Sequence, residues 1–414
     1  MTKVRAMLLG LVVLGLIAVL FFTKMGYGTS TSARATSVDH ASTHATGSQW
    51  TIASPIVPPG AHLTAISAAA KWDAWVAGST PTGSLIEHWD GLHWQIVNAT
   101  PQLPAPWQAT FTGMHAYHYD VWAYGFATNR NQPANVVPFV LYFNGGSWSV
   151  TLLNDQFTSP ATTGSFTSIL QTSPGDAWAV VQETMRANNQ VKIFPNIERF
   201  NGTTWKPWPQ QSIIRSAGPG PVNGILSDMA ETSLIDIWAV GADGDGFGDP
   251  LLAHYDGKSW GPVAGAPDTQ NVFNGQLKGQ FTSIDAMSAN DIWAVGAVTS
   301  TTGTTKTTLI EHWDGQAWKL FSSNINTIAG QSVNLFKVME FDPTNVVIVG
   351  SVTQAHSTTP IVLQASNANG GSVKRVPTPA FLTQIGKNGF TVAPIPGTNT
   401  YWLLSSTGSA AYGN

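Results

Sequence analysis

The chain has 414 residues, no cysteine and only 10 % charged residues, against roughly 25 % in an average soluble domain. Without cysteine there is no disulfide framework, no thiolate metal site, no cysteine nucleophile and no lipidated cysteine. Nineteen Lys and Arg against 23 Asp and Glu leave a net charge of −4, and Lys374-Arg375 is the only adjacent basic pair, which argues against a nucleic-acid partner.

Residues 1–5 carry Lys3 and Arg5 ahead of an unbroken apolar run from Ala6 to Phe22. About 17 to 20 apolar residues behind a basic flank suit one membrane span. Residues 6–23 are therefore expected to be a transmembrane signal anchor, with a cleaved signal peptide as the alternative. By the positive-inside rule everything downstream lies on the extracytoplasmic side of the cell membrane, or is secreted if the segment is cleaved. Residues 24–47 are rich in Ser, Thr, Ala and Gly and read as a flexible linker.

From residue 48 to 414 one unit is written repeatedly. Its first phrase places Asp two residues before Trp in a β-rich run: Asp73-x-Trp75, Asp120-x-Trp122, Asp176-x-Trp178, Asp236-x-Trp238 and Asp291-x-Trp293. The second is an aromatic residue, Asp or Asn, Gly, two residues and Trp, ending at Trp94, Trp148, Trp205, Trp260 and Trp318. Asp-Gly or Asn-Gly between apolar positions predicts a hairpin whose central residues both take positive φ. About ten residues before each repeated Asp stands a further short strand, such as Phe166-Thr-Ser-Ile169 or Phe281-Thr-Ser-Ile284. Four strands per unit, a period near 50 residues and no helix between units predict the blades of a β-propeller.

Five units are clear, and a sixth is degraded, with Asn345-Val-Val347 in place of Asp-x-Trp. A seventh runs through Trp402 and stops before its last strand. The orphan segment Gly47-Ser-Gln-Trp50-Thr-Ile52 matches a fourth strand, so the fold expected is all-β, seven four-stranded blades closed by this N-terminal strand. The two phrases resemble those of repeat propellers from exported bacterial proteins, loosely similar to kelch and galactose-oxidase-like propellers. That resemblance implies a fold and is almost silent on activity.

Candidates for function are residues that do not repeat. No catalytic residue is assigned. Residues paired with the repeats, such as His88 and His312, and the repeated Asp residues read as structural, the latter as turn formers bonding local backbone N–H groups. Asp243, Asp245 and Asp249 alternate with Gly and could supply oxygens to Ca²⁺, although an EF-hand is not met. His115, Tyr117, His118 and Tyr119 are particular to the second unit, and Trp72, Trp107 and Trp208 fall outside the repeated Trp slots; these are the candidate ligand contacts. Copper-radical oxidase chemistry needs a Cys, and no sialidase box or Gly-x-Ser-x-Gly motif occurs. The reading is a non-enzymatic binding module for a protein, peptide or cell-surface glycan, the alternatives being a carbohydrate-active enzyme with a site in the central cleft and a structural or adhesive surface protein.

Overall fold

The computed structural model describes residues 50–98, 101–153, 162–187, 190–209, 224–243, 248–263, 277–300, 306–321, 331–354, 357–368, 371–385 and 390–413. These all belong to one compact unit, Ala45–Asn414. The expected anchor at 6–23 and the linker at 24–47 lie outside the described residues, among which no helix is long and apolar enough to cross a membrane.

Seven four-stranded antiparallel sheets form the unit. Six are contiguous in sequence: blade 1 spans 62–96, blade 2 107–152, blade 3 162–207, blade 4 224–262, blade 5 277–320 and blade 6 331–376. Blade 7 takes three strands from 390–413 and its fourth from Thr51–Ile52, with Thr51 opposite Tyr412 and Ile52 opposite Ala411. The chain is thus a seven-bladed β-propeller whose ring is closed by its own N-terminal strand, which covers the outer edge of Ala410–Gly413. One element departs from the expectation of no helix, a six-residue helix at Ala380–Ile385 between blades 6 and 7.

The second strand of each blade has sheet neighbours on either side and other blades on both faces, so it is apolar without alternation. In Asp291–Ser300, for instance, Ile292, Trp293, Ala294 and Val295 are all fully buried. The first strand of blades 1 to 6 carries a β-bulge six or seven residues before the turn into the second strand, at Thr64, Thr112, Thr167, Ser227, Thr282 and Phe336. The bulge turns a hydroxyl sideways. Thr112, Thr167 and Thr282 each donate to a carbonyl of the next blade, Phe166, Leu226 and Leu335, at 2.7, 3.1 and 2.7 Å. It also brings the first strand so near the second that a Cβ on Gly296 would overlap the Gln280 carbonyl, which explains the closing Gly of Trp-Ala-Val-Gly.

The hairpins differ in detail from the expected two-residue type. Trp89 pairs with Trp94, so the loop has four residues, and only its Gly takes positive φ, 95° at Gly91. The Asp90 carboxylate accepts the N–H groups of Leu92 and His93 at 2.8 and 2.7 Å, which lets Asp keep its ordinary backbone conformation.

Two outcomes test this account. A chain beginning at Pro55 lacks the closing strand and should melt several degrees lower and self-associate through the bared Ala410–Gly413 edge, measured by calorimetry and sedimentation. Thr282→Val keeps the shape of the side chain but leaves the Leu335 carbonyl unpaired, and should cost about 1–3 kcal/mol in denaturant unfolding.

Candidate functional site

The repeated Asp residues serve the fold. Instead of bonding mainly to nearby backbone, each holds the third-strand residue opposite the repeated Trp: Asp73 with His88 at 3.0 Å, Asp120 with Tyr142 at 3.2 Å, Asp176 with Arg199 at 2.8 Å, Asp236 with His254 at 2.5 Å and Asp291 with His312 at 2.6 Å. The same partner lies on the indole. Tyr142 stacks on Trp122 with centroids 3.8 Å apart, and the Arg199 guanidinium sits 4.9 Å from the ring of Trp178. The slot needs a flat group that can donate to a carboxylate, and His, Tyr and Arg all qualify.

The first strands of all seven blades surround a central cavity of about 430 Å³. Blades 1, 2 and 7 contribute a small or apolar wall, with Ser67, Met114, Tyr117 and Val392, while blades 4 to 6 contribute Asp228, Glu231, Asp285 and Lys337. Three of these, Asp228, Asp285 and Lys337, are tied to one another and to the ring. Asp228 Oδ2 accepts from Lys337 Nζ at 2.8 Å and Ser283 Oγ at 2.8 Å, and Oδ1 from its neighbour Met229 N at 3.0 Å. Asp285 accepts the N–H groups of Ala286 and of Glu340 in the next blade at 3.0 and 2.8 Å. Burial works against the Lys337 ammonium, but Asp228 and Asp285 outweigh it and hold the lysine above its usual range. His115 accepts from the Gln171 N–H at 3.4 Å. Burial, with the charge of Lys337, lowers its pKa to about 4, so the imidazole is neutral at pH 7.

The sequence candidates in blade 2 divide. His115 and Tyr117 lie on the first strand in the cavity wall, with rings 6.5 Å apart and nearly parallel. His118, with φ of 52°, and Tyr119 form the turn that follows. That turn face of the propeller bears the most exposed apolar side chains of the described residues: Tyr119 at 81 %, Leu92 at 76 %, Trp72 at 69 % and Ile235 at 64 %. Adjacent turns and hairpins touch there, as Gly91 approaches Trp72 and Gly257 approaches Ile235. Trp72 is therefore an open platform, whereas Trp107 is half-buried against the blade 1–3 core and Trp208 packs 4.8 Å from Trp178 and 5.7 Å from Tyr255. In the acidic loop Asp245 lies outside the described residues, and Asp243 Oδ1 accepts the Asp249 N–H at 2.5 Å, closing the loop on itself. Among the described residues no three His, Asp or Glu side chains gather to hold a metal ion.

No known family and no curated protein matches the sequence. Solved structures do match in fold. The polysaccharide lyase Uly1 superposes with a TM-score of 0.52 at 11 % identity, over 86 % of this chain and 90 % of that one. A xyloglucanase from Xanthomonas campestris gives 0.43 at 10 % identity over 79 % and 55 %, and the Aleuria aurantia lectin with α-methyl-L-fucoside 0.39 at 12 % over 78 % and 98 %. At such identities the likeness is one of architecture.

One seam contact carries an acid–base property that sequence reasoning missed. Gln171 in blade 3 donates to Asp120 of blade 2 and accepts from Trp122 Nε1 at 2.6 Å. The same register position is Glu231 in blade 4 and Glu340 in blade 6, facing Asp176 and Asp291 across their seams. A carboxyl can take the donor's part only when protonated. Burial first, then the neighbouring acids, raises Glu340 to about 10 and Glu231 to about 7. Burial also raises Glu311, with neither oxygen bonded among the described residues, to about 8, and Glu87 to about 7 against the opposing Ile56 N–H.

Folded values above the ordinary 4.5 mean that these groups contribute stability in full below that pH and lose it as pH rises through the folded values. The melting temperature should fall between pH 5 and pH 9 and fall less in Glu340→Gln, which copies Gln171; thermal melts across that range check this.

Proposed function

We propose that the propeller is a non-catalytic binding module that takes an extended ligand, a glycan before a peptide, across its turn face and into the mouth of the central cavity. The observation that carries this reading is the state of the cavity acids. Asp228 and Asp285 are bonded to Lys337, Ser283 and backbone N–H groups, which ties both carboxyls to the ring. What remains open is apolar and aromatic, with Trp72 and Tyr119 exposed on the rim and Tyr117 in the cavity wall. Exposed aromatic rings near a concave centre suit the C–H faces of a sugar chain. The apolar run Ala6–Phe22, acting as an anchor, would present this surface outside the cell.

A second reading rests on Glu231. Its carboxyl, raised to about 7 by burial and Asp176, lines the same cavity as Tyr117 and matches the protonation needed of a general acid near neutral pH. The two readings separate in one experiment. On glycan and peptide arrays the binding module retains a ligand unchanged, and the Trp72→Ala, Tyr119→Ala double variant, altered only at exposed sites, binds at least about tenfold more weakly. Release of a shortened product, abolished in Glu231→Gln, would establish the enzyme instead.

A further inference from the structure

The seams between blades are filled by a recurring side chain three residues beyond the closing Trp of each hairpin. Val97, Trp208, Val263 and Phe321 hold this position in blades 1, 3, 4 and 5, and each packs into a hydrophobic cluster. Phe321 lies 5.0 Å from Trp293, and Trp208 4.8 Å from Trp178. In blade 2 the position is Thr151. Two residues earlier, where blades 3 and 5 carry Lys206 and Lys319, blade 2 has the short Ser149.

The seam between blades 2 and 3 is consequently open, with a cavity of about 180 Å³ that Ser149 and Thr151 line. Tyr142, Phe200 and Trp205 give it aromatic walls, Thr203 adds another hydroxyl, and no charged side chain lines it. The hydroxyl of Thr151 has no hydrogen-bond partner among the described residues, and the Trp205 indole N–H is buried without one.

We infer that this seam is a second binding site, for a single neutral pyranose ring. Its size lies well above the roughly 30 Å³ of one water and below the roughly 300–1,000 Å³ of sites for larger ligands. Aromatic faces opposed to hydroxyl groups match a molecule with one apolar face and several hydroxyls, and the absence of charge in the lining disfavours an ion, whose desolvation would go uncompensated. The site is separate from the central cavity and stands whether or not the reading of that cavity does.

The test is titration of the intact protein with methyl pyranosides of glucose, galactose, mannose, fucose and N-acetylglucosamine, followed by saturation-transfer NMR and tryptophan fluorescence. At least one should bind saturably in the millimolar range. Thr151→Phe restores the filling side chain of blade 5 and Ser149→Lys the cover of blades 3 and 5. Both should fold, with the melting temperature kept or raised, and weaken that sugar at least about tenfold. The Trp72→Ala, Tyr119→Ala double variant, altered only at the rim of the central site, should leave it unchanged. The inference is overturned if no pyranoside binds up to about 50 mM, or if binding survives in folded Thr151→Phe.

Discussion

The ring depends on one act of packing repeated in blades 1 to 4 and 7, the insertion of the second-strand indole beneath the hairpin aromatics of the next blade. Trp75 meets Phe143 and Trp148, Trp122 meets Phe200 and Trp205, Trp178 meets Tyr255 and Trp260, and Trp238 meets Trp313 and Trp318. Trp402 closes the circle against Trp89 and Trp94 at 5.7 and 5.4 Å. Each contact joins two sheets that share no strand, so the apolar area of these rings, with little help from charge, holds the blades side by side. In blades 1 to 5 the Asp beneath the indole and its flat partner fix the ring's orientation, and the bulge threonines add a directional bond at the inner edge.

Blade 6 shows what happens where the repeat lapses. It brings Val347 in place of Trp and Val373 in place of the closing Trp. Phe321, from the end of blade 5, takes up the space over Trp293 and His312 that a hairpin aromatic would occupy. On the other side, the helix at Ala380–Ile385 sends Leu382 into a cluster with Met339, Val349, Val362, Tyr401 and Leu403, filling the seam that Val347 is too small to fill. The missing bulge hydroxyl is Phe336, whose ring meets Phe390 of blade 7 at 5.7 Å. Three separate substitutions thus converge on the same requirement, that the wedge between neighbouring sheets be full.

Architecture was legible in the sequence because it is written several times over. A hairpin Gly, a buried second strand and an Asp-x-Trp in five units reinforce one another, and the unpaired Trp50 strand needed a partner that only blade 7 could offer. The central cavity was less legible, for the opposite reason. Asp228 with Glu231, Asp285 and Lys337 come from three different blades, and only the closed ring brings them to one axis. Trp208 was read as a platform because it stood outside the two phrases; in fact it belongs to a third, weaker pattern of seam-filling residues that tolerates Val, Phe or Trp and so leaves no consensus letter. The bulge Thr was visible in Phe-Thr pairs, but its bond to the neighbouring blade depends on a register shift that no single-sequence pattern encodes.

Closure by Thr51–Ile52 also orders events in time. The strand that leaves the ribosome first among those of the propeller has its only sheet partner, Ala410–Gly413, at the far end of the chain. Blades 1 to 6 are each local in sequence and can form as they are synthesised, whereas blade 7 must wait for the last residues and then close a loop spanning almost the whole domain. Loop-closure entropy grows only slowly with length, so the delay lies mainly in search and waiting. Until that moment blade 1 has no neighbour on one flank, with Trp89 and Trp94 uncovered where Trp402 will later sit, and the half-made ring is an open spiral whose two ends are adhesive to each other.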